Sequence, residues 1–397
     1  MPVEQRSAWK EAGWIFGLSR LMIVVFSYLG VTFLHVQNQF STVRYIVLKK
    51  CPSNLNCFLL SWWHWDVIHY VEIAYLGYAH HQPLSAFFPL FPLLIRGLGM
   101  LLGGSIMADY ATGMILANVC FYGILVLFYQ LVCKDHGHIT ARYALIYLAF
   151  DPYGIFFFVG YTESLFFLLT LAVFVFLRRG KTLDWWQAGL CGCLVTLTRP
   201  TGVILLVSFF VLFVQRFGIR KILTRENWRQ KLNAMLAMAL VPAGLLIYMG
   251  YLRITFGSPW VFSIEQTLIW HRSLALPWVG PIGAIKGILT LDHSFFSRDL
   301  ADVTFTLIPL TALIVGWKRL PLYYSLFSLV MVLFVLCEPQ RFVPLMSVPR
   351  FMLVVFPVFI LFALWSKDRI NAWSLMSFFF IMFILNILLF VTNVWVA

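Results

Sequence analysis

The sequence predicts an all-α protein that crosses a membrane many times. Of its 397 residues, 61% are apolar and only 11% are charged, and phenylalanine alone occupies 39 positions. A soluble domain has about 45–50% apolar and about 25% charged residues. One crossing needs roughly 20 apolar residues, so the chain has material for about eleven crossings with substantial loops between them. This composition excludes an ordinary soluble enzyme, a disordered protein and a disulfide scaffold.

The apolar segments give the order of the predicted crossings within one transmembrane domain, 1–397, that has no internal repeat. They cover approximately residues 14–36, 86–102, 110–132, 141–177, 185–198, 200–217, 233–252, 301–316, 320–337, 349–365 and 372–396. The segment 141–177 is too long for one straight helix, and Asp151–Gly154 (DPYG) interrupts it. Because Pro and Gly break helices, we interpret this segment as a broken crossing or as two short helices.

The distribution of Lys and Arg predicts the orientation, since cytoplasmic loops carry an excess of both. Basic clusters occur at 178–181, 216–231 and 318–319 and again near the last crossing, within a chain of net charge +13. Placing these clusters inside leaves two long loops, 37–85 and 253–300, on the outer side. We attribute the positive charge to loop anchoring and lipid headgroups, and we predict no nucleic-acid partner.

Cysteine and histidine give no firm cofactor prediction. Cys51 and Cys57 bracket a polar stretch and form either two free thiols or a disulfide, which is possible where the loop faces an oxidising compartment. Their spacing has no matching second pair, so no zinc site is predicted. His80 and His81 are adjacent, which is poor chelate geometry on a helix, and no obligate metal is predicted.

Asp66 is the leading candidate for chemistry because of its setting, SWWHWDVIHYVEIAYLGY. Tryptophan and tyrosine prefer the membrane interface, so the stretch predicts an interfacial helix in the first outer loop. On a helix, His69 and Tyr70 share a face with Asp66. A partly desolvated carboxylate there could take a proton from an alcohol. The alternative is an aromatic belt in which Asp66 merely stabilises a helix N-terminus.

Arginines on the predicted outer side are candidates for binding a phosphate, which needs positive charge to stabilise it as a leaving group. The candidates are Arg199 in LTRPTG, Arg272 in LIWHRS, Arg341 in EPQRFVP and Arg350 in SVPRF. Arg199 lies between two apolar segments, where an unpartnered cation is costly. The alternative for each is snorkelling to lipid headgroups.

These pieces together resemble the PIG-V-type GPI mannosyltransferases and their bacterial relatives. WWHWDVIHYVEIAYLGY followed by AFFPLFPLLIR is similar to the first signature of that family. DPYGIFFFVGYTESLFFL and GLCGCLVTLTRPTGVIL resemble two central elements, and FGSPWVFSIEQTLIWHR and SVPRFMLVVFP resemble later elements of the bacterial members. The resemblance runs from about Trp62 to Pro357, most of the chain.

The resemblance implies a GT-C glycosyltransferase fold and an inverting reaction, outside the cytoplasm, that uses a sugar bound to a polyprenyl phosphate. The acidic residue, the glutamate and the arginine of the family match Asp66, Glu163 and Arg199. Two departures are Asp151, where the family commonly has Asn, and Glu72 in the first signature. The modest length favours a bacterial relative in the cell membrane with an outward-facing site; a eukaryotic protein would face the lumen of the endoplasmic reticulum.

We therefore predict a mannosyltransferase that uses polyprenyl-phosphate-mannose and a lipid-linked or other extracytoplasmic glycan acceptor. Asp66 would be catalytic, and Arg199, Arg272 and Arg350 would bind the donor phosphate. The substrate pocket would contain His69, Tyr70, Glu163, Gln266 and Trp270. Two alternatives stay open. One is a GT-C transferase for another polyprenyl-phosphate sugar. The other is a lipid or solute transporter, although transporters usually show internal repeats.

Overall fold

The computed structural model describes residues 3–34, 58–79, 82–221, 224–290, 296–366 and 368–396. Within these ranges the chain is almost entirely helical, and extended pairing is limited to one isolated bridge between Arg272 and Gln340. The all-α prediction is confirmed. The open question about Cys51 and Cys57 lies outside the described residues, as do His80 and His81.

The described ranges contain fifteen α-helices. They are α1 Val3–Phe33, α2 Asp66–Leu76, α3 Leu90–Leu101, α4 Ile106–Ala149, α5 Glu163–Arg179, α6 Thr182–Thr198, α7 Leu205–Phe217, α8 Trp228–Phe256, α9 Val261–Leu268, α10 Val279–Leu289, α11 Phe296–Gly316, α12 Leu322–Leu336, α13 Val348–Met352, α14 Pro357–Trp365 and α15 Arg369–Val391. Short 3₁₀ turns at Gln82–Ala86, Gly154–Phe157, Pro200–Ile204, Ile219–Lys221 and Trp317–Arg319 connect some of them.

Several of these helices can span a bilayer, which makes the chain a multi-pass membrane protein. Within the described ranges, six are long and apolar enough. They cover Ser7–Phe33, Ile106–Ala149, Pro200–Phe217, Trp228–Phe256, Arg298–Arg319 and Arg369–Val391. The other predicted crossings form shorter helices, such as the 17 residues of α5 and the 15 residues of α12. The total of about eleven crossings and their orientation stay predictions.

The longest helix, α4, joins two segments that the sequence separates. It runs over 44 residues and bends at Gly137, whose φ of 82° and ψ of 172° are not helical. A positive φ is accessible to glycine without a Cβ penalty, so two helical segments of α4 meet at a kink in the polar stretch around this residue. The predicted crossing 110–132 and the first part of 141–177 therefore lie on the two sides of this kink.

The described residues divide into two units. Unit 1 consists of Met1–Gly77, Pro92–Ser164 and Phe362–Ala397. Unit 2 consists of Tyr78–Phe91 and Leu165–Leu361.

The predicted break in segment 141–177 is confirmed in unit 1. Helix α4 ends at Ala149, and the chain does not become α-helical again until Glu163. Carbonyls freed by such a break must find donors, because a lipid environment supplies none. The Asn386 amide donates to the Pro152 carbonyl at 2.8 Å, and the Asn118 amide donates to the Phe158 carbonyl at 2.9 Å. Side chains from α15 and α4 thus stabilise the irregular backbone.

Arg20, near the middle of α1, supports the same break. Its side chain is only 9% exposed, and its Nη2 donates to the Phe157 carbonyl at 3.4 Å. The guanidinium carbon lies 4.3 Å from the centroid of the Phe121 ring and 5.1 Å from that of Phe16. A charged residue inside a membrane helix is costly unless it is partnered, and aromatic faces attract cations. Arg20 therefore ties α1 to the 3₁₀ turn.

Replacing Asn386 by leucine should destabilise the protein. The substitution leaves the buried Pro152 carbonyl without its amide donor, and an unsatisfied buried group costs about 1–3 kcal/mol. We expect a lower midpoint of thermal unfolding in detergent. Asn371→Leu is the matched control, since Asn371 is exposed on the same helix. Equal unfolding midpoints for the Asn386 variant and the wild type would show that the amide does not hold the break.

In unit 2, glycines bring α6 and α8 into close contact. A Cβ added at Gly189 would overlap the carbonyl oxygen of Ala237, and one at Gly244 would overlap that of Cys193. Small residues at helix interfaces allow this approach in membranes. The contact fixes the C-terminal end of α6, where Arg199 follows the last helical residue.

Candidate active site

Asp66 opens α2 in unit 1. Its side chain is half-buried in the first turn, and its backbone N–H donates to the Tyr161 hydroxyl at 3.2 Å. Trp65, directly before it, has a positive φ of 52° with ψ of −127°, so the backbone changes direction immediately before the helix. A negative charge at a helix N-terminus is stabilised by the helix dipole. The local backbone therefore presents a half-buried carboxylate at the start of a short helix.

The tryptophans before Asp66 anchor this helix in the core of unit 1. Trp62 and Trp63 are only 4% and 2% exposed. The Trp62 Nε1 donates to the Ser27 hydroxyl at 3.0 Å, and the Trp63 ring stacks on Tyr110 with centroids 4.7 Å apart. The alternative of an aromatic belt is therefore wrong for these two residues, because their rings pack against protein. That α2 lies at the membrane interface stays a prediction.

Tyr70 connects α2 to the segment that follows the break. Its hydroxyl lies 3.2 Å from the Thr162 hydroxyl, and its ring packs edge-on against Tyr161 with centroids 6.4 Å apart. His69, on the same turn, is half-buried. Tyr161 and Thr162, which contact Asp66 and Tyr70, were not selected from the sequence, although the polar run YTES inside an apolar stretch was the available signal.

Glu163 begins α5 directly after this contact. It is fully buried, as are its neighbours Thr162 and Ser164. The helix N-terminus favours its negative charge. The structure therefore brings Asp66, Tyr70 and the Thr162–Glu163 turn together in unit 1.

Arg199 occupies the connection between α6 and the turn Pro200–Ile204 in unit 2. Its backbone is extended, with φ of −156° and ψ of 145°. The chain then folds back so tightly that a Cβ at Gly202 would lie 2.7 Å from the Val195 side chain and 2.8 Å from the Thr196 nitrogen. This close approach explains the glycine in RPTG.

The three arginines predicted to bind phosphate surround one aromatic ring. The guanidinium carbons of Arg199 and Arg272 each lie 5.6 Å from the centroid of the Phe351 ring, and that of Arg350 lies 5.2 Å away. We call Arg199, Arg272, Arg350 and Phe351 the Phe351 cluster. Each contact is within the range of a cation–π interaction. Phe351 itself was missed from the sequence.

Arg272 also supports the backbone around the cluster. It is 9% exposed, with Nη1 donating to the Glu338 carbonyl at 3.1 Å and Nη2 to the Met346 carbonyl at 2.7 Å. Burial raises the pKa of the Glu338 carboxyl, and the charge of Arg272 opposes part of that rise. Two of the five guanidinium N–H groups of Arg272 thus bind backbone carbonyls, and the charge of Arg272 contributes to the Phe351 cluster.

Gln266 and Trp270 precede Arg272 closely in the chain. The backbone carbonyl of Gln266 accepts the backbone N–H of Arg272 at 3.1 Å. The Trp270 ring packs edge-on against Phe87 with centroids 5.4 Å apart. Glu265, which sequence reasoning did not select, is buried and accepts from the Gln82 amide at 2.8 Å.

The predicted site residues thus fall into two groups. Asp66, His69, Tyr70 and Glu163 belong to unit 1, whereas Arg199, Gln266, Trp270, Arg272 and Arg350 belong to unit 2. Within the ranges that the structure describes, no three His, Cys, Asp or Glu side chains form a group that could hold a metal ion.

A family model, mannosyltransferase (PIG-V), matches residues 19–257 of the chain. GPI mannosyltransferase 2 of Schizosaccharomyces pombe is 29% identical over 166 residues, which are 41% of this chain and 34% of that protein. GPI alpha-1,6-mannosyltransferase 2 of Homo sapiens is 33% identical over 195 residues, which are 46% of this chain and 38% of that protein. The matched part spans little more than a third of these curated relatives.

A solved structure resembles most of the chain. The crystal structure of ArnT from Cupriavidus metallidurans in the apo state superimposes with a TM-score of 0.50 over 92% of this chain and 62% of that one. Sequence identity is 12%, so this likeness concerns the fold alone. That fold is the GT-C glycosyltransferase fold, as predicted.

Proposed function

Because the chain belongs to the mannosyltransferase (PIG-V) family, we propose that it transfers mannose from a polyprenyl-phosphate donor to a glycolipid or glycan acceptor. The chemistry would take place on the extracytoplasmic side of the membrane. A bacterial origin, with the site facing outward from the cell membrane, is part of the same proposal.

The Phe351 cluster is the observation that supports this proposal most. Its three guanidinium groups share one ring. Like charges repel, so such a group is most stable when it binds an anion. The leaving group of the proposed reaction is a polyprenyl phosphate, whose charge increases as its bond to the sugar breaks. Arginine pairs well with phosphate oxygens and stabilises this charge.

Asp66 would activate the acceptor. In the proposed step, its carboxylate takes the proton of the acceptor hydroxyl, and the hydroxyl oxygen forms a bond to the anomeric carbon of mannose. The bond from that carbon to the phosphate oxygen breaks, and the phosphate leaves with the electron pair. Attack on the face opposite to the leaving group inverts the anomeric configuration.

The remaining predicted residues would shape the substrate pocket. Tyr70 and Glu163 are proposed to hold the acceptor side, since Tyr70 contacts the turn that carries Glu163. His69 lies one residue before Tyr70 and would contribute to the same side. Gln266 and Trp270 precede Arg272 in the chain and would contact the sugar or the lipid of the donor.

Phe351 should act as a positioning residue for the donor phosphate. Phe351→Leu removes the ring that three guanidinium groups share, so we expect the KM for the donor to rise roughly tenfold, because each cation–π contact contributes about 0.5–2 kcal/mol. The kcat should change little. Phe210→Leu is a control, since the Phe210 side chain is 53% exposed on α7. A fall in kcat at unchanged KM would contradict this role.

The proposal is tested by offering the purified full chain a panel of donors in detergent, with membrane lipid extract as acceptor. The donors are polyprenyl phosphates that carry mannose, glucose or arabinose, together with GDP-mannose. We expect labelled mannose in a lipid product from polyprenyl-phosphate-mannose only. Transfer of glucose or arabinose would replace the sugar assignment, and transfer from GDP-mannose would contradict the donor class.

A further inference from the structure

A cavity in unit 2 shares Arg272 with the Phe351 cluster. Its volume is about 480 Å³, within the range of pockets that bind small molecules. Arg341 and His271 are also among the residues that line it. None of the described residues that line the cavity is acidic, and Glu338, which lies nearby in the chain, is not among them. Two arginines and an imidazole without a carboxylate in the same wall favour an anion as the occupant.

His271 has a backbone conformation that glycine adopts at lower cost. Its φ of 51° lies in the left-handed region, which is strained for a residue with a Cβ, although histidine tolerates it better than most. The surrounding backbone holds this conformation. The His271 carbonyl accepts the backbone N–H of Arg341 at 3.1 Å, and the backbone N–H of Arg272 donates to the backbone carbonyl of Gln266 at 3.1 Å. Strain of this kind at the wall of a cavity indicates that the side chain has a function there.

The Phe342 ring contacts the side chains of both His271 and Arg341. The centroid of the imidazole ring lies 5.3 Å from that of the Phe342 ring, with the two rings edge-on, and the Arg341 guanidinium carbon lies 5.7 Å from the same centroid. His271 and Arg341 are exposed, whereas Arg272 is only 9% exposed. An anion that enters the cavity therefore meets two accessible side chains and the charge of Arg272 in the wall.

We propose that His271 and Arg341 bind the phosphate of the polyprenyl-phosphate donor, together with Arg272. This role rests on the proposed function, which supplies a lipid phosphate as the ligand. The imidazole donates a ring N–H to one phosphate oxygen, and the Arg341 guanidinium pairs with another. Arg272 belongs to both the Phe351 cluster and the cavity wall, which makes the cavity an extension of the donor-phosphate site. The strained backbone at His271 then serves to hold a donor-binding side chain.

Binding of a polyprenyl phosphate to the purified full chain in detergent tests this inference without requiring sugar transfer. His271→Gly removes the imidazole and relaxes the left-handed backbone, and the Phe342 ring that the imidazole touches is 60% exposed, so the unfolding midpoint should not fall. The Kd for the polyprenyl phosphate should nevertheless rise roughly tenfold, because a hydrogen bond to a charged group is lost. His271→Asn tolerates the same φ but has a shorter side chain, and should give an intermediate Kd.

Arg341→Gln should also raise this Kd roughly tenfold, because a charge-assisted contact to phosphate is lost. Two matched controls come from unit 2. Asn227→Gly relaxes a φ of 52° at an exposed position, and Arg220→Gln removes an exposed charge. Both controls should bind the polyprenyl phosphate like the wild type. The uncharged polyprenol of the same length should bind equally to the wild type and to every variant.

Unchanged Kd values in the His271 and Arg341 variants, or equal losses in the controls, would overturn the inference. A lower unfolding midpoint for His271→Gly would also overturn it, since His271 would then have a structural role. Phosphatidylglycerol at an equal concentration should not displace the polyprenyl phosphate, and displacement would exclude the donor as the specific occupant. If the wild type binds polyprenyl phosphate through these two side chains but transfers no mannose, the proposed reaction fails and the phosphate-binding role of the cavity is supported.

Discussion

Replacing Asp66 by asparagine should lower the rate of mannose transfer about a thousandfold, the middle of the range for losing a general base. Asparagine has nearly the same shape but cannot accept the proton of the acceptor hydroxyl. The backbone N–H of residue 66 still donates to Tyr161, and Trp62 and Trp63 still anchor the helix, so the variant should fold. The rate is measured with saturating donor, and the unfolding midpoint is measured on the same preparation.

Glu72→Gln provides the matched control for this experiment. Glu72 is the other carboxylate of α2, it is half-buried, and it does not share the helix face of Asp66. We expect this variant to retain most of the wild-type rate. If Asp66→Asn transferred mannose at the wild-type rate, the carboxylate would have no part in activating the acceptor.

Replacing Arg199 by glutamine should lower kcat/KM for the donor about a hundredfold, the loss typical of removing one group that stabilises developing charge. Arg199 is one of three cations on the Phe351 ring, and its side chain is only half-buried, so its removal should leave the fold intact. Arg199→Lys should recover part of the activity. Lysine keeps the charge but loses the flat guanidinium that stacks on the ring and pairs with phosphate.

The exposed Arg253 on α8 serves as the control for loss of a positive charge in unit 2. Arg253→Gln should change kcat/KM for the donor very little. Equal losses in the two glutamine variants would indicate a general electrostatic effect, and an unchanged kcat/KM in Arg199→Gln would remove this residue from the phosphate site.

Composition and local breakers predict most of the fold. The apolar excess predicts an all-α membrane protein, and DPYG at Asp151–Gly154 predicts the break between α4 and α5. The hydrogen bonds that stabilise this break cannot be predicted from local sequence. The Asn386 amide reaches Pro152 across 234 positions of sequence, so no local pattern joins them. Helix lengths were also uncertain, because short helices and long ones have similar apolar composition.

In the candidate site, too, local sequence predicts single residues but not the contacts between them. The predicted arginines were selected one by one from their local sequence, whereas their common contact with Phe351 joins residues far apart in the chain. For Trp62 and Trp63, the sequence alone does not decide between two environments. A run of tryptophans fits a membrane interface and a buried core equally well by composition, and only tertiary contacts with Ser27 and Tyr110 decide for the core.

A labelled mannosyl donor in proteoliposomes that contain the full chain distinguishes a transferase from a transporter. Two quantities are measured together: the new mannosyl glycoside, and the donor that moves across the bilayer. We expect the wild type to form the glycoside and release polyprenyl phosphate in equal amounts, and Asp66→Asn to form both about a thousandfold more slowly. Movement of the donor without any new glycosidic bond, in the wild type and the variant alike, would contradict the proposed mannose transfer and indicate a transporter.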